Sequence, residues 1–164
     1  MISIRQFDER DWQATWRIIE PVFRAGDSYT FLPDISEADS RQHWIDSPLN
    51  TFVAESASGE ILGTYFIRPN QPGLGSHVCN CGYIVSEVAR GQGIASEMCE
   101  HSQRTAINFG FRAMQYNMVV AANEGAVRLW QKHGFEKIGT LPGAFKHSRL
   151  GYVDAHVMYK QLVN

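Results

Sequence analysis

The chain has little of several features that would narrow its function. Its only cysteines are Cys79, Cys81 and Cys99. An odd, small number indicates reduced thiols in the cytoplasm rather than a disulfide framework. No apolar run approaches the ~18 residues of a transmembrane helix, and the strand-like amino terminus lacks signal-peptide features. The net charge is only −2, so we expect neither a nucleic-acid nor a membrane partner.

The composition is that of an ordinary globular protein, with 44% hydrophobic and 20% charged residues. The length of 164 residues fits a single domain spanning 1–164, which is large enough to fold without a disulfide or a metal. His77, Cys79 and Cys81 are residue types that bind metals. However, a third or fourth ligand at the usual zinc spacing is missing. We therefore predict small buried thiols and no metal site.

Hydrophobic periodicity predicts the element order β-α-α-β-β-β-α-β-α-β-β. A helical stripe begins at Trp12, and Asn123 is the expected N-cap of the last helix. A loop containing Pro142 should separate the final two strands, 135–141 and 152–161. This order predicts an α/β fold, a mixed sheet of about seven strands with about four helices on its faces.

A glycine-containing segment, Arg90-Gly91-Gln92-Gly93-Ile94-Ala95, lies where a strand over 77–85 meets a long helix. Helix N-termini present unpaired amides and a partial positive charge, so they bind phosphate oxygens. Glycines let the backbone approach such a ligand, and Arg90 can add a charge-assisted contact. The segment fits neither the ATP-binding P-loop nor the dinucleotide motif. It predicts a site for pyrophosphate or another anion, or else a tight turn whose glycines serve only chain reversal.

A second motif follows about thirty residues later, with Asn123, Ala126, Leu129, Gly134 and Phe135 at its key positions. Together with Arg90, Gly93 and Ala95, in this order, it resembles the GCN5-related N-acetyltransferase (GNAT) superfamily. The resemblance covers nearly the whole chain. It implies an acetyl-CoA-dependent N-acetyltransferase with a mostly antiparallel sheet that splays between the fourth and fifth strands.

The resemblance also implies how acetyl-CoA binds. The amides of residues 90–95 should hold the pyrophosphate. The strand edge at Tyr83, Ile84 and Val85 should pair with the pantetheine arm and place the acetyl thioester. Asn123 and Trp130, on the second motif, should contact the co-substrate from the other side of the gap.

Two positions depart from the superfamily pattern. Trp130 stands where many members have a tyrosine that protonates the departing thiolate, and an indole is not a useful acid. Met118 stands where a glutamate base is common. Either other donors, water included, support catalysis, or the chain is an acyl-CoA-binding module without turnover. Acetylation of a protein or peptide N-terminus is a further alternative to a small-molecule acceptor.

A closer resemblance, over roughly residues 76–140, is to fungal acetyltransferases that detoxify proline analogues such as azetidine-2-carboxylate. It rests on Asn80, Asn117 and Asn123 with their neighbours. In that family the first two positions are implicated in substrate binding and catalysis, and the third in co-substrate binding. An amino or cyclic imino acid is therefore the expected acceptor. The alternatives are that Asn80 satisfies its own backbone and that Asn117 is a solvated strand residue.

The expected acceptor pocket is lined by Tyr29 and Phe31 from the loop between the first two helices, and by Phe145 from a loop near the carboxyl terminus. That placement again follows from the resemblance. A base is required because an amine in water is mostly protonated at pH 7. His77 and His156 are the two candidates for this base. The alternative for each is an ordinary surface histidine. Dimers are common in the superfamily, so a homodimer is expected by analogy alone.

Overall fold

The computed structural model describes all of residues 1–164 and contains one seven-stranded sheet with four α-helices. The strands are β1 (Ile2–Gln6), β2 (Asn50–Ser56), β3 (Ile61–Pro69), β4 (Val78–Val85), β5 (Ala113–Val120), β6 (Glu136–His147) and β7 (Gly151–Gln161). The helices are α1 (Trp12–Ala25), α2 (Glu37–Arg41), α3 (Ile94–Asn108) and α4 (Glu124–Lys132). The π-helical turn Gln42–Asp46 extends α2. No helix combines the length and the apolarity that crossing a membrane requires.

The sheet has the strand order β1-β2-β3-β4-β5-β7-β6, and every neighbouring pair is antiparallel except β4 and β5. These two parallel strands pair only at their first residues, Val78 with Ala113 and Cys79 with Met114. Beyond that point they have no ladder between them. The mixed α/β fold and the splay between the fourth and fifth strands are therefore confirmed.

Helices pack on both faces of the sheet, and each face has its own hydrophobic core. The stripe on α1 buries Trp16, Ile19 and Phe23 beside Trp44, which belongs to the extension of α2. Helix α3 buries its apolar residues on the other face, against Tyr116 of β5 and other residues of the sheet. The three cysteines are unbonded and buried, as predicted.

The chain from 136 to 147 differs from the prediction, because Pro142 does not end a strand. Strand β6 runs on to His147, and its pairing with β7 shifts register between Leu141 and Phe145. Proline lacks a donor N–H, and an edge strand such as β6 tolerates it at a bulge. Asp154 on β7 stabilises the bulge by accepting a hydrogen bond from the amide of Gly143 at 2.9 Å.

Candidate active site

Strands β4 and β5 diverge and leave a cleft of about 370 Å³ between them. The cleft extends from the α1 face of the sheet to the start of α4. Its lining is mostly apolar, and both diverging strands contribute to it. Nine of the residues predicted for the site lie along it: Tyr29, Asn80, Tyr83, Ile84, Val85, Arg90, Asn117, Asn123 and Trp130.

The glycine segment forms the turn between β4 and α3 at one end of this cleft. Arg90 lines the cleft, whereas residues 91–95 lie beside it. Gly91 and Gly93 have φ of 77° and 83°, a left-handed conformation that favours glycine. For this reason α3 begins at Ile94 and not at Gly91. No side chain caps the N-terminus of α3, so its first amides are available to an anion.

Asn80 crosses the gap where the ladder between β4 and β5 ends. Its Nδ2 donates to the main-chain oxygen of Gln115 on β5 at 2.8 Å. The bond lies one residue beyond the last pair, Cys79 with Met114. The half-buried side chain therefore bridges the two strands at the inner end of the cleft, rather than satisfying its own backbone.

Asn117 lies on the opposite wall, at an irregularity of β5. Its Nδ2 donates to Asn70 Oδ1 at 2.7 Å, and its Oδ1 accepts from Gln115 at 3.0 Å. The pairing with β7 shifts between Tyr116 and Val119. Val119 is thereby buried in the core with Tyr116, although regular alternation along a strand would give it the face of Asn117. Asn117 is exposed, as the alternative of a solvated strand residue expects, but its side-chain amide is held by two neighbouring side chains.

Asn123 caps α4, as predicted, with its Oδ1 accepting from the amide of Ala126 at 3.2 Å. This bond uses the carbonyl oxygen of the side chain and leaves its NH₂ group free. Since Asn123 also lines the cleft, that NH₂ group can donate to a ligand between the strands.

Trp130 on α4 packs over an aromatic floor formed by Tyr83 and Tyr116, with ring centroids 5.0 Å from each. The Tyr83 hydroxyl lies 2.9 Å from that of Tyr116 and 2.6 Å from Ser102 on α3. Burial raises the pKa of both tyrosines well above the usual value. These hydroxyls therefore remain protonated, and the indole fills the position that the superfamily gives to a tyrosine.

Tyr29 reaches the open edge of β4 from the α1 face. Its hydroxyl accepts from the Tyr83 amide at 2.9 Å and donates to the Tyr83 carbonyl at 2.8 Å. Both main-chain groups point into the gap where the strand ladder is missing. One of the edge residues expected to pair with pantetheine is thus bonded to a side chain of the protein.

Two residues predicted for the acceptor pocket lie outside the cleft. Phe31 packs against Phe23 and His43, with centroids 4.8 Å from each, and so supports the pocket from behind. Phe145 is buried on β6 opposite Val153, because the strand continues where a loop was predicted. The two histidines considered as the base, His77 and His156, also lie outside the lining.

A second, more polar cavity of about 750 Å³ adjoins the cleft and shares Ser28, Val85 and Arg90 with it, among others. Sequence reasoning missed Arg17 and Arg149, which line it. Neither of them, nor Arg90, forms an ion pair within the chain. The sequence around Arg17 and Arg149 does not indicate that they line the same cavity, because α1 and the β6–β7 turn meet only in the folded chain.

Polar groups in the two cavities differ in kind. The cleft between the strands is lined by no aspartate, glutamate or histidine, whereas the adjoining cavity has Asp27, Glu87 and His147. His147 Nδ1 accepts from the amides of Arg149 and Leu150, so a neutral ring has its proton on Nε2. The Ser28 hydroxyl, which lines both cavities, is buried without a hydrogen-bond partner. Proton acceptors are therefore available beside the cleft and absent inside it.

Known proteins share this architecture. The model of the acetyltransferase (GNAT) family matches residues 11–135. A GCN5-related N-acetyltransferase from Kribbella flavida superimposes with a TM-score of 0.93 and 37% identity, over 98% of this chain and 97% of that one.

Two relatives are similar in sequence. The N-acetyltransferase aca1 of Schizosaccharomyces pombe is 36% identical over 98 residues, which are 59% of this chain but only 47% of that protein. The proposed phosphinothricin acetyltransferase YwnH of Bacillus subtilis is 23% identical over 87% of this chain and 88% of its own length. The family match extends over most of the chain and includes both motifs; the chain belongs to the acetyltransferase (GNAT) family, whose co-substrate is acetyl-CoA.

Proposed function

We propose that this chain transfers the acetyl group of acetyl-CoA to the amine of a small molecule with an anionic group, such as an amino or cyclic imino acid. The observation that carries the proposal is the cleft between β4 and β5, which runs from the uncapped N-terminus of α3 to the asparagines Asn80 and Asn117. One end suits phosphate groups, and the other suits a polar acceptor.

The residues present fit acetyl-CoA. The free amides at the start of α3 and the guanidinium of Arg90 suit the pyrophosphate, because both favour negative charge. An added Cβ at Gly91 or Gly93 would meet no atom within 4 Å, so the backbone there is open to a ligand. Strand β4 presents an edge without a strand partner, and the NH₂ group of Asn123 lies on the opposite wall. Bound there, acetyl-CoA supplies the thioester.

The proposed reaction is a direct transfer of the acetyl group from sulfur to nitrogen. A neutral amine forms a C–N bond with the thioester carbonyl carbon, and the C–S bond breaks. The amine nitrogen loses one proton and the departing sulfur gains one, which gives the amide and CoA. Asn80 and Asn117 are placed to orient the acceptor without adding charge. Asp27 and Glu87 line the adjoining cavity, and we propose that one of them takes up the amine proton through a water molecule.

The adjoining cavity supports an acceptor with a carboxylate or a similar anion. Two arginines without an ion-pair partner, Arg17 and Arg149, line it together with two acidic residues, while Arg90 lies on its border with the cleft. A guanidinium binds a carboxylate through two parallel hydrogen bonds, which also orient the amine. The unpartnered Ser28 hydroxyl lies where the two cavities meet and can complete such a site.

The direct test is thiol release from acetyl-CoA with pairs of acceptors that differ only in the carboxylate, such as azetidine-2-carboxylate against azetidine and proline against pyrrolidine. We expect release, and an N-acetyl product by mass spectrometry, with the carboxylate-bearing member of a pair. Arg149→Gln should raise KM for that acceptor about tenfold or more, by loss of a charge-assisted hydrogen bond. Arg10→Gln, at a side chain 79% exposed and outside both cavities, is the matched control.

Other outcomes would contradict the proposal. Binding of acetyl-CoA without release for any acceptor would indicate an acyl-CoA-binding module. Release only with peptides that carry a free N-terminus would indicate a protein acetyltransferase.

We extend the proposal to the setting of the enzyme: one acetyltransferase domain over residues 1–164, a cytoplasmic location and a homodimer. The single sheet, with all seven strands, supports the first. Three unbonded cysteines support the second. The edge strand β6, on which Ile138 and Leu141 are exposed, supports the third, because exposed apolar edges tend to associate.

A further inference from the structure

The Tyr29 hydroxyl occupies a position that would otherwise belong to a neighbouring strand. Tyr83 pairs with Tyr65 of β3 on one side. On the other side its amide and carbonyl face the gap, and a single side-chain oxygen satisfies both at 2.9 and 2.8 Å. This contact joins residues 54 positions apart in the chain. It therefore depends on the folded arrangement of the α1–α2 loop over the cleft.

Three features hold the hydroxyl there. The ring packs in an aromatic box formed by Phe23, Phe31 and Trp44, with centroids 5.5–6.4 Å away. Gly82 lacks the side chain that would block the approach, since a Cβ there would lie 3.2 Å from the Tyr29 oxygen. Burial raises the pKa of Tyr29 well above the usual value, so the hydroxyl keeps its proton and remains a donor.

We propose that Tyr29 is a catalytic residue whose hydroxyl, together with the Tyr83 amide, donates hydrogen bonds to the carbonyl oxygen of the acetyl thioester. This inference rests on the proposed function. The two donors are neighbours at the cleft, where the Tyr83 amide donates to the Tyr29 oxygen at 2.9 Å. A carbonyl oxygen that takes the Tyr83 amide displaces the Tyr29 oxygen from it, and the hydroxyl proton turns from the Tyr83 carbonyl to that carbonyl oxygen.

The role is electrostatic and transfers no proton. When the amine adds to the carbonyl carbon, an electron pair moves to the oxygen, which gains negative charge. Two fixed donors stabilise that charge more strongly than they stabilise the neutral carbonyl, and the difference accelerates the reaction. The Tyr83 carbonyl, released by Tyr29, can then accept from an amide of the pantetheine arm.

A different role predicts the opposite behaviour. If the hydroxyl only filled the open strand edge, it would compete with acetyl-CoA for the Tyr83 amide and carbonyl. Its removal would then strengthen acetyl-CoA binding and leave turnover unchanged. The two roles are thus separable by one substitution that deletes the hydroxyl and retains the ring.

The experiment compares the wild type with Tyr29→Phe. We expect kcat to fall about 100-fold, in the range of about 10²–10³ found when one such donor is removed, while the Kd for acetyl-CoA changes less than about threefold. Infrared spectra of bound acetyl-CoA, ¹³C-labelled at the carbonyl, should show a lower stretching frequency in the wild type than in the variant. Tyr65→Phe is the matched control. It removes another buried tyrosine hydroxyl, bonded to His101 at 2.7 Å and outside both cavities, and should change neither quantity.

Each remaining outcome is decisive. Unchanged kcat with tighter acetyl-CoA binding would overturn the proposal in favour of a strand-edge plug. A fall in kcat without a change in carbonyl frequency would assign Tyr29 a structural role and also overturn it. If the wild type binds acetyl-CoA but acetylates no acceptor, the proposed function fails. The infrared comparison still tests the hydrogen bond in that case.

Discussion

Gly82 connects the packing of the α1 face with the geometry of the cleft, so its replacement by alanine is a sharp test of both. A Cβ at this position would lie 2.5 Å from Phe66 Cε1 and 2.9 Å from Cζ. Carbon atoms normally pack at about 3.5–4.0 Å, so Phe66 must move by roughly 1 Å. It packs edge-on against Trp44 at 4.8 Å, which leaves it little room.

The expected cost has two parts. Overpacking a core site destabilises by about 1–3 kcal/mol. The same Cβ lies 3.2 Å from the Tyr29 oxygen, and displacing that oxygen weakens two hydrogen bonds worth about 0.5–1.5 kcal/mol each. Replacing glycine by alanine returns about 0.4–1 kcal/mol through the unfolded state. With the middle of each range, and with the two hydrogen bonds weakened by about half, we expect Gly82→Ala to lose about 2–3 kcal/mol of unfolding free energy.

Urea denaturation followed by fluorescence measures this loss. With a slope of about 2 kcal/mol/M, the midpoint should fall by about 1–1.5 M. Gly139→Ala is the matched control, because it lies on a strand, has no atom within 4 Å of an added Cβ, and its φ is not positive. That variant should unfold at or slightly above the wild-type midpoint. A Gly82→Ala protein as stable as the control would refute the close packing at this site.

Three further predictions follow from other parts of the chain. Alanine at Asn80 or Asn117 should lower kcat by up to about 100-fold, because the acceptor would be misplaced. The affinity for acetyl-CoA, measured by titration calorimetry, should change less. Unchanged kinetics in both variants would contradict the role proposed for the two asparagines. Asp11 accepts two hydrogen bonds from Arg5, at 2.7 and 2.9 Å, and these hold its pKa below the usual value against the effect of burial. Asp11→Asn should therefore lower the free energy of unfolding by about 1.5–3 kcal/mol at pH 7. Because the pKa of Asp11 is lower in the folded state, the stability difference between wild type and variant should shrink as the pH falls below about 4. The same stability difference in urea unfolding at pH 7 and pH 3 would contradict this role of Asp11. Ile138→Asp should convert the proposed homodimer to a monomer in light scattering, and a wild-type protein that is already monomeric would contradict that proposal.

Much of the fold was predictable because its signals are local. The helical stripe on α1 and the N-cap at Asn123 depend only on residues within a few positions, and the structure confirms both. The left-handed glycines at the start of α3 also follow from the segment itself. Such features are determined by backbone sterics and by hydrogen bonds within one element.

The parts that sequence reasoning missed depend on distant residues. The contact between Tyr29 and Tyr83 joins two elements that meet only after the sheet has formed. The irregularity in β5 breaks the alternation that would put Val119 on the face of Asn117, and nothing in the strand-like pattern of the sequence marks it. Pro142 looks like a chain break until β6 is recognised as an edge strand, where its missing N–H costs little.

We propose that acetyl-CoA binds where β4 and β5 diverge, with its phosphates at the start of α3. Amide chemical shifts of the ¹⁵N-labelled protein, recorded during titration with acetyl-CoA, test that location most directly. We expect the largest changes in chemical shift at the amides of residues 83–85 and 91–95. No change at these amides, or changes confined to the distant edge formed by β1 and β2, would contradict it.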